Sequence, residues 1–211
     1  MSCGAVAHDH EVIIVDPQTR RPVRPGAVGE IWVQGPSVAT GYFGRPAQPG
    51  TFAARPHTPD DGGTYLRTGD LGFLLDDELF VTGRLKDVVV IAGRNLYPQD
   101  IEATALTARD DLRRVVAFSV RPDDGEEELV IVAEFRRAGR RTAADLAEVR
   151  GAVVAAVTAE HAVRPTDLHL GLPGTIPSTT SGKVRRSATR QAYEQGTLKR
   201  LTVASAAVGA G

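Results

Sequence analysis

Lys183 follows the loop Ile176-Pro177-Ser178-Thr179-Thr180-Ser181-Gly182 and is predicted to stand at the start of a helix. A cation is misplaced there on local grounds. The N-terminal end of a helix carries partial positive charge, so a lysine beside it costs about 0.3–1 kcal/mol. The cost is accounted for if an anion arrives between the ammonium and the free backbone N–H groups; the alternative is a surface lysine held in solvent. Asp70, after Arg67-Thr68-Gly69, is a carboxylate at a glycine-bounded turn. It can accept two hydrogen bonds from a cis-diol such as ribose hydroxyls, or bond the backbone of its own turn. Arg84 follows Gly83 at a predicted strand end. Its planar fork suits a ribose or phosphate oxygen, although a strand-end arginine in solvent has the same local sequence.

Lys86 lies where the character of the chain changes, and either absorbs a backbone rotation as a hinge or is a solvated loop lysine. Gly93, before Arg94-Asn95, either lets a backbone or ligand come close or is a turn glycine. The stretch 184–200 holds Arg185, Arg186, Arg190, Lys199 and Arg200 against Glu194. Such runs are usually solvated helix faces; docking to an acidic partner is a weaker reading and nucleic acid a weaker one still. His8, His10, His57, His161 and His169 show no metal-ligand spacing, and no metal site is expected from protein ligands. No Walker-type loop or Gly-x-Gly-x-x-Gly turn occurs.

The elements that must hold these residues fall into two kinds. Before residue 98 the chain reads as strands and turns without a helical period: Val12–Val15, Gly29–Gly35, Tyr65–Phe73, and Leu79–Gly83 after the Asp76-Asp77 turn. Ala47 to Gly63 reads as a surface loop. Beyond, Val88–Ile91 is a strand, and Pro98 suits the first turn of a helix reaching about Asp111. Val115–Val120 and Leu129–Phe135 are strands around the acidic turn Asp123–Glu128. Thr142 and Asp145 are spaced as a capping pair for a helix with Leu146, Val149, Val153 and Val157 on one face. Leu168–Leu170 is a strand, and a last helix runs from about Val184 to Gln195. The fold class is α+β: a β-rich part over 1–85, an α+β part over 86–201, and a small apolar tail from Thr202 expected to be disordered.

The 211 residues suit one or two domains, with 42% apolar and 24% charged residues and a net charge of −1. That balance gives no reason to expect nucleic acid. No run approaches the roughly 20 apolar residues of a membrane span. A single cysteine, Cys3, excludes an internal disulfide and a cysteine-based zinc site. Met1-Ser2-Cys3-Gly4 lacks the basic start and apolar run of a signal peptide, and a cytoplasmic location is expected.

Three ordered segments resemble the carboxyl-terminal portion of the adenylate-forming enzymes, the superfamily of acyl-CoA synthetases, luciferases and peptide-synthetase adenylation domains. They are Tyr65-Leu66-Arg67-Thr68-Gly69-Asp70, Gly83-Arg84-Leu85-Lys86-Asp87 with Gly93, and Ser181-Gly182-Lys183. Gly29-Glu30-Ile31-Trp32-Val33, Gly35 to Tyr42, and Gly93 to Glu102 are similar to fatty acyl-AMP ligases, which pass an acyl group to a carrier protein's phosphopantetheine thiol. The resemblance implies that Asp70 holds the ribose hydroxyls of ATP, assisted by Arg84. Lys86 would be the hinge of a mobile lid, Gly93 a candidate for the acceptor channel, and Lys183 the catalytic contact to the acyl carboxylate and α-phosphate. Magnesium is implied on the phosphates, and an acyl carrier protein or polyketide synthase as partner.

Ser178 departs from the pattern, which usually has a lysine or similar residue before its Ser-Gly-Lys run. The phosphate-binding loop, adenine pocket and acyl tunnel are also absent, so the chain is expected to start within the last β subdomain of a large domain and to form little acyl-AMP alone. An acyl-CoA synthetase or amino-acid adenylation domain is the near alternative, and a non-catalytic module that docks on a carrier protein the distant one.

Overall fold

The computed structural model describes residues 2–58, 63–122 and 125–201. The predicted tail from Thr202 lies outside them, as do parts of the predicted loop Ala47–Gly63 and of the turn Asp123–Glu128. The chain divides after Asp87 into two compact units, Met1–Asp87 and Val88–Gly211.

The first unit is an antiparallel sheet of β1 (Ser2–Ala5), β2 (Glu11–Val15), β3 (Gly29–Gln34), β4 (Leu66–Leu75) and β5 (Glu78–Arg84), in the order β1-β5-β4-β3-β2. Asp76 and Asp77 join β4 to β5 with φ of 50° and 62°. Positive φ at both central residues matches the twist of a two-residue hairpin, and aspartate tolerates it. Val15, Trp32, Ala54 and Tyr65 form the core, with the Trp32 and Tyr65 rings 6.5 Å apart. At Gly72 a Cβ would come within 2.3 Å of the Phe80 carbonyl oxygen, so the bulge joining β4 to β5 requires glycine there. Two elements of this unit escape the sequence reading: β1 itself, and a one-turn helix, α1 (Pro49–Phe52). Each is only four residues long, too short to show a period.

After a 3-10 turn at Leu85–Asp87, the second unit opens with the hairpin β6 (Val89–Ile91) and β7 (Arg94–Leu96). There follow α2 (Pro98–Ala108), β8 (Leu112–Val120), β9 (Glu128–Phe135), α3 (Ala143–His161), β10 (Asp167–Gly171) and α4 (Arg186–Glu194). The sheet order is β10-β9-β8, with β8 antiparallel and β10 parallel to the central β9. A strand covered on both faces reads as a continuous apolar run, and β9 is such a strand. Leu129, Ile131, Ala133 and Phe135 pack with Ile101, Ala105, Val149, Val153 and Val157 from α2 and α3. Val130 and Val132 face the other way, toward Ile176 and the partly buried Tyr193 of α4.

The predicted cap of α3 is present: Thr142 Oγ1 accepts from the Asp145 N–H, and the Asp145 carboxylate from the Thr142 N–H. Those bonds hold the Asp145 carboxyl below its ordinary value. Leu146, Val149, Val153 and Val157 are all buried. The parallel pairing of β10 with β9 needs a crossover of helical length, which α3 supplies. Among the described residues no helix is long and apolar enough to cross a membrane.

Candidate functional site

Asp70 and Arg84 are cross-strand partners on β4 and β5. Arg84 Nε lies 3.1 Å from Asp70 Oδ1, and both side chains are exposed, at 59% and 37%. Oδ2 of Asp70 has no partner among the described residues and is open to a hydroxyl donor. Thr68 holds the approach to it: its hydroxyl donates to the Ile31 carbonyl at 2.7 Å and accepts from the Asp70 N–H at 3.0 Å. Gly69 between them has φ +72°, where a side chain would be strained. The carboxylate is thus presented by the sheet instead of turning back onto its own backbone.

Glu30, which the sequence reading quoted only for its resemblance, organises this turn from below. It is 1% exposed. Its carboxylate accepts from Trp32 Nε1 (3.0 Å), Arg67 Nε (2.9 Å) and the Gly69 N–H (3.3 Å), and Arg67 Nη2 lies at 2.8 Å. Arg67 also lies 5.6 Å from the Trp32 ring centroid. A buried carboxylate is tolerated when it is paired and its lone pairs are filled, as here. The signal available in the sequence was a glutamate inside an otherwise apolar strand.

Lys86 is exposed within the 3-10 turn. Gly93 is at the tip of the β6–β7 hairpin with φ +74°, after Ala92 at +48°. A Cβ at Gly93 would meet nothing within 4 Å. The hairpin needs glycine there for its backbone angle, and the Cβ position is open among the described residues.

Lys183 does not begin a helix; α4 starts at Arg186 with Arg185 as its N-cap. Ser178 and Val184 form an antiparallel bridge, making residues 177–185 a small hairpin. The Thr179 N–H donates to the Lys183 carbonyl (2.8 Å), the Gly182 N–H to the Thr179 carbonyl (2.9 Å), and the Lys183 N–H to Thr179 Oγ1 (3.0 Å). Helix growth stops because these backbone groups bond across the turn, where a helix would need bonds along the chain. The dipole argument therefore does not apply to Lys183. Its ammonium is instead carried into solvent on a tight, hydrogen-bonded tip, with no ion pair among the described residues.

Three cations of the basic stretch beyond it are paired with the chain's own acids: Arg186 with Glu102, Arg190 with Glu194, Arg200 with Asp167. His10 bridges Asp9 (2.7 Å) and Ser37 (2.6 Å). The backbone donor next to Ser37, the Val38 N–H, is bonded to the Gly35 carbonyl, so the bridge serves to tie the turn after β3. No cluster of His, Cys, Asp or Glu among the described residues could hold a metal ion.

These features define a class. The family described as AMP-binding enzyme matches residues 1–43. A solved structure from a study of fatty acyl-adenylate ligases from E. coli and L. pneumophila superposes with a TM-score of 0.70 and 31% identity, covering 92% of this chain and 32% of that one. In fold and sequence the chain matches part of an adenylate-forming enzyme.

Within that class the chain is most like the fatty acyl-AMP ligases. It is 46% identical to a 4-hydroxyphenylalkanoate adenylyltransferase of Mycobacterium tuberculosis, over 90% of this chain and 31% of the relative. It is 44% identical to the medium-chain-fatty-acid–[acyl-carrier-protein] ligase JamA of Moorena producens, over 94% of this chain and 33% of the relative. The chain thus spans about a third of the length of the curated relatives it matches.

Proposed function

We propose that this chain supplies the ribose-binding edge and the lysine-bearing unit of a fatty acyl-AMP ligase acting in the cytoplasm. The observation that carries this is the open Asp70 carboxylate. Arg84 takes one oxygen, the buried Glu30 fixes the turn, and the other oxygen is free for ribose hydroxyls.

In the reaction a fatty-acid carboxylate attacks the α-phosphorus of ATP. The new acyl–O–P bond forms as pyrophosphate leaves. Two anions must meet, and an ammonium placed between them stabilises the transition state more than the separated reactants. Lys183 is that ammonium. Hydrogen bonds across the turn hold the backbone that carries it. In the second step the phosphopantetheine thiol of an acyl carrier protein or polyketide synthase attacks the acyl carbonyl and AMP leaves. Gly93 is the candidate lining residue for that arm, and Lys86 the hinge about which the second unit turns between steps. Magnesium would travel with the ATP phosphates. The described residues give it no cluster of ligands, and none of the steps above is assigned to it.

The test is ATP–pyrophosphate exchange with a fatty acid. The 211-residue chain alone is expected to show little. A ligase joining it to the missing adenine- and acyl-binding segment is expected to be active, and Lys183→Ala there should lower adenylation by about 10²–10³-fold. Retained adenylation in that variant removes Lys183 from the mechanism. Supplying coenzyme A against a phosphopantetheinylated carrier separates a ligase of this type from an acyl-CoA synthetase.

A further inference from the structure

The order β10-β9-β8 leaves β8 at one edge of its sheet. An edge strand presents backbone N–H and C=O groups with no neighbouring strand. At Ala117, midway along β8, both groups are taken by side chains. Glu102 Oε1, from the first turns of α2, accepts from the Ala117 N–H at 2.9 Å. Arg186 Nε donates to the Ala117 carbonyl at 3.1 Å. The two side chains then close on each other, with Arg186 Nη2 and Nε at 2.7 and 3.3 Å from Glu102 Oε1. The ion pair occupies the bonding positions of a missing strand. The guanidinium fork reaches the carbonyl and the carboxylate together, and both side chains are partly shielded, at 21% and 17% exposure.

Arg186 is three residues beyond Lys183 and directly follows the outgoing leg of its hairpin as the first residue of α4. The incoming leg is fixed separately. Ile176 is buried against Val116, Phe118, Val130 and Val132, and its N–H donates to the fully buried Glu134 at 3.1 Å. The legs are joined by the Arg185 N–H and the Pro177 carbonyl at 3.0 Å. The hydrogen bonds described within the hairpin are local, and the attachments at Ile176 and Arg186 tie its two ends to the sheet.

We infer that Glu102 and Arg186 are positioning residues for Lys183: seated on Ala117, the pair sets where the ammonium stands on the second unit and so governs the adenylation step. This rests on the reading that Lys183 serves adenylation.

The experiment uses Glu102→Gln and Arg186→Lys, singly and together. Both substitutions keep a polar side chain of similar length, and exchange at the β9 amides reports whether the fold is kept. In the ligase that includes this chain, adenylation should fall by about 10- to 100-fold, mostly in kcat, while transfer from supplied acyl-AMP to the carrier thiol holds within about two-fold. The double variant should be no slower than the worse single one, as expected for two groups acting as a unit. In the 211-residue chain itself, the Lys183 and Arg185 amides should exchange hydrogen about 10-fold faster, with the amides of β9 unchanged. Unchanged adenylation, equal slowing of both steps, additive losses, or unchanged exchange at Lys183 and Arg185 would each overturn the inference. If the unaltered ligase makes no acyl-AMP, the proposed function fails, and the exchange comparison alone decides whether the pair fixes the hairpin.

Discussion

Asp70 and Arg84 face each other across β4 and β5, with Arg84 Nε 3.1 Å from Asp70 Oδ1. Solvent reaches both groups, so the pair contributes about 0–1 kcal/mol to folding. Its use must lie in what it leaves available, which is one carboxylate oxygen without a partner among the described residues. Asp70→Ala should therefore barely move the unfolding midpoint. In the full ligase it should weaken ATP binding by about 1.5–3 kcal/mol, the range for hydrogen bonds to a charged group. Calorimetric titration of nucleotide, beside thermal unfolding, checks both halves. A large loss of stability with unaltered nucleotide affinity would assign the pair to folding.

Glu30 should show the opposite balance. Removing one partner of a buried ion pair strands the rest, and Glu30→Ala is expected to cost about 3–5 kcal/mol. Trp32 is in direct contact with the site through its Nε1, and its fluorescence reports the unfolding of the first unit. Urea titration followed at that tryptophan should show the lowered midpoint.

Gly93 tolerates bulk but resists the wrong backbone angle. With nothing within 4 Å of its Cβ position, Gly93→Leu should lose only about 1–2 kcal/mol of hairpin stability from the left-handed conformation. If the acceptor arm passes beside it, thiol transfer should fall while adenylation persists. Separate assays of the two steps decide the point; equal activity in both would end the acceptor assignment.

His169 gives a pH dependence of stability. It is 2% exposed, and burial first, then Arg200 and Arg150, pull its pKa below the ordinary 6.5, against the Lys199 carbonyl and Asp167. The folded state therefore binds fewer protons than the unfolded chain. Stability should be fully present above about pH 6.5 and decline as pH falls from there through the lower folded pKa. Chemical denaturation of the chain between pH 8 and 5 should show this decline, and His169→Gln should flatten it.

The local features of the second unit were legible because each is written in a short window. Thr142 and Asp145 mark a helix start by spacing alone, and Leu146, Val149, Val153 and Val157 mark its buried face. The Asp76-Asp77 turn is likewise local, since its two residues tolerate the positive φ that the hairpin demands. Lys183 is the instructive miss. Its neighbours Val184 and Arg185 suit a helix, yet Val184 bridges back to Ser178 and Thr179 takes the Lys183 N–H. A pairing across a turn competes with helix growth, and the chain's period does not say which one gains more.

By itself the sequence determined which residues carry charge into otherwise apolar or glycine-rich surroundings, Asp70, Arg84 and Lys183, together with the turn glycine Gly93 and the α+β class of the elements around them. Tertiary structure alone decided that Glu30 lies beneath the Asp70 turn, and that Glu102 and Arg186 meet on Ala117 from positions 84 residues apart. The physical reason is range. Periodicity and capping depend on bonds within a few residues. A buried carboxylate or the edge of a sheet finds its partners only after distant segments have packed, because the low-dielectric surroundings that make such pairing necessary do not exist until then.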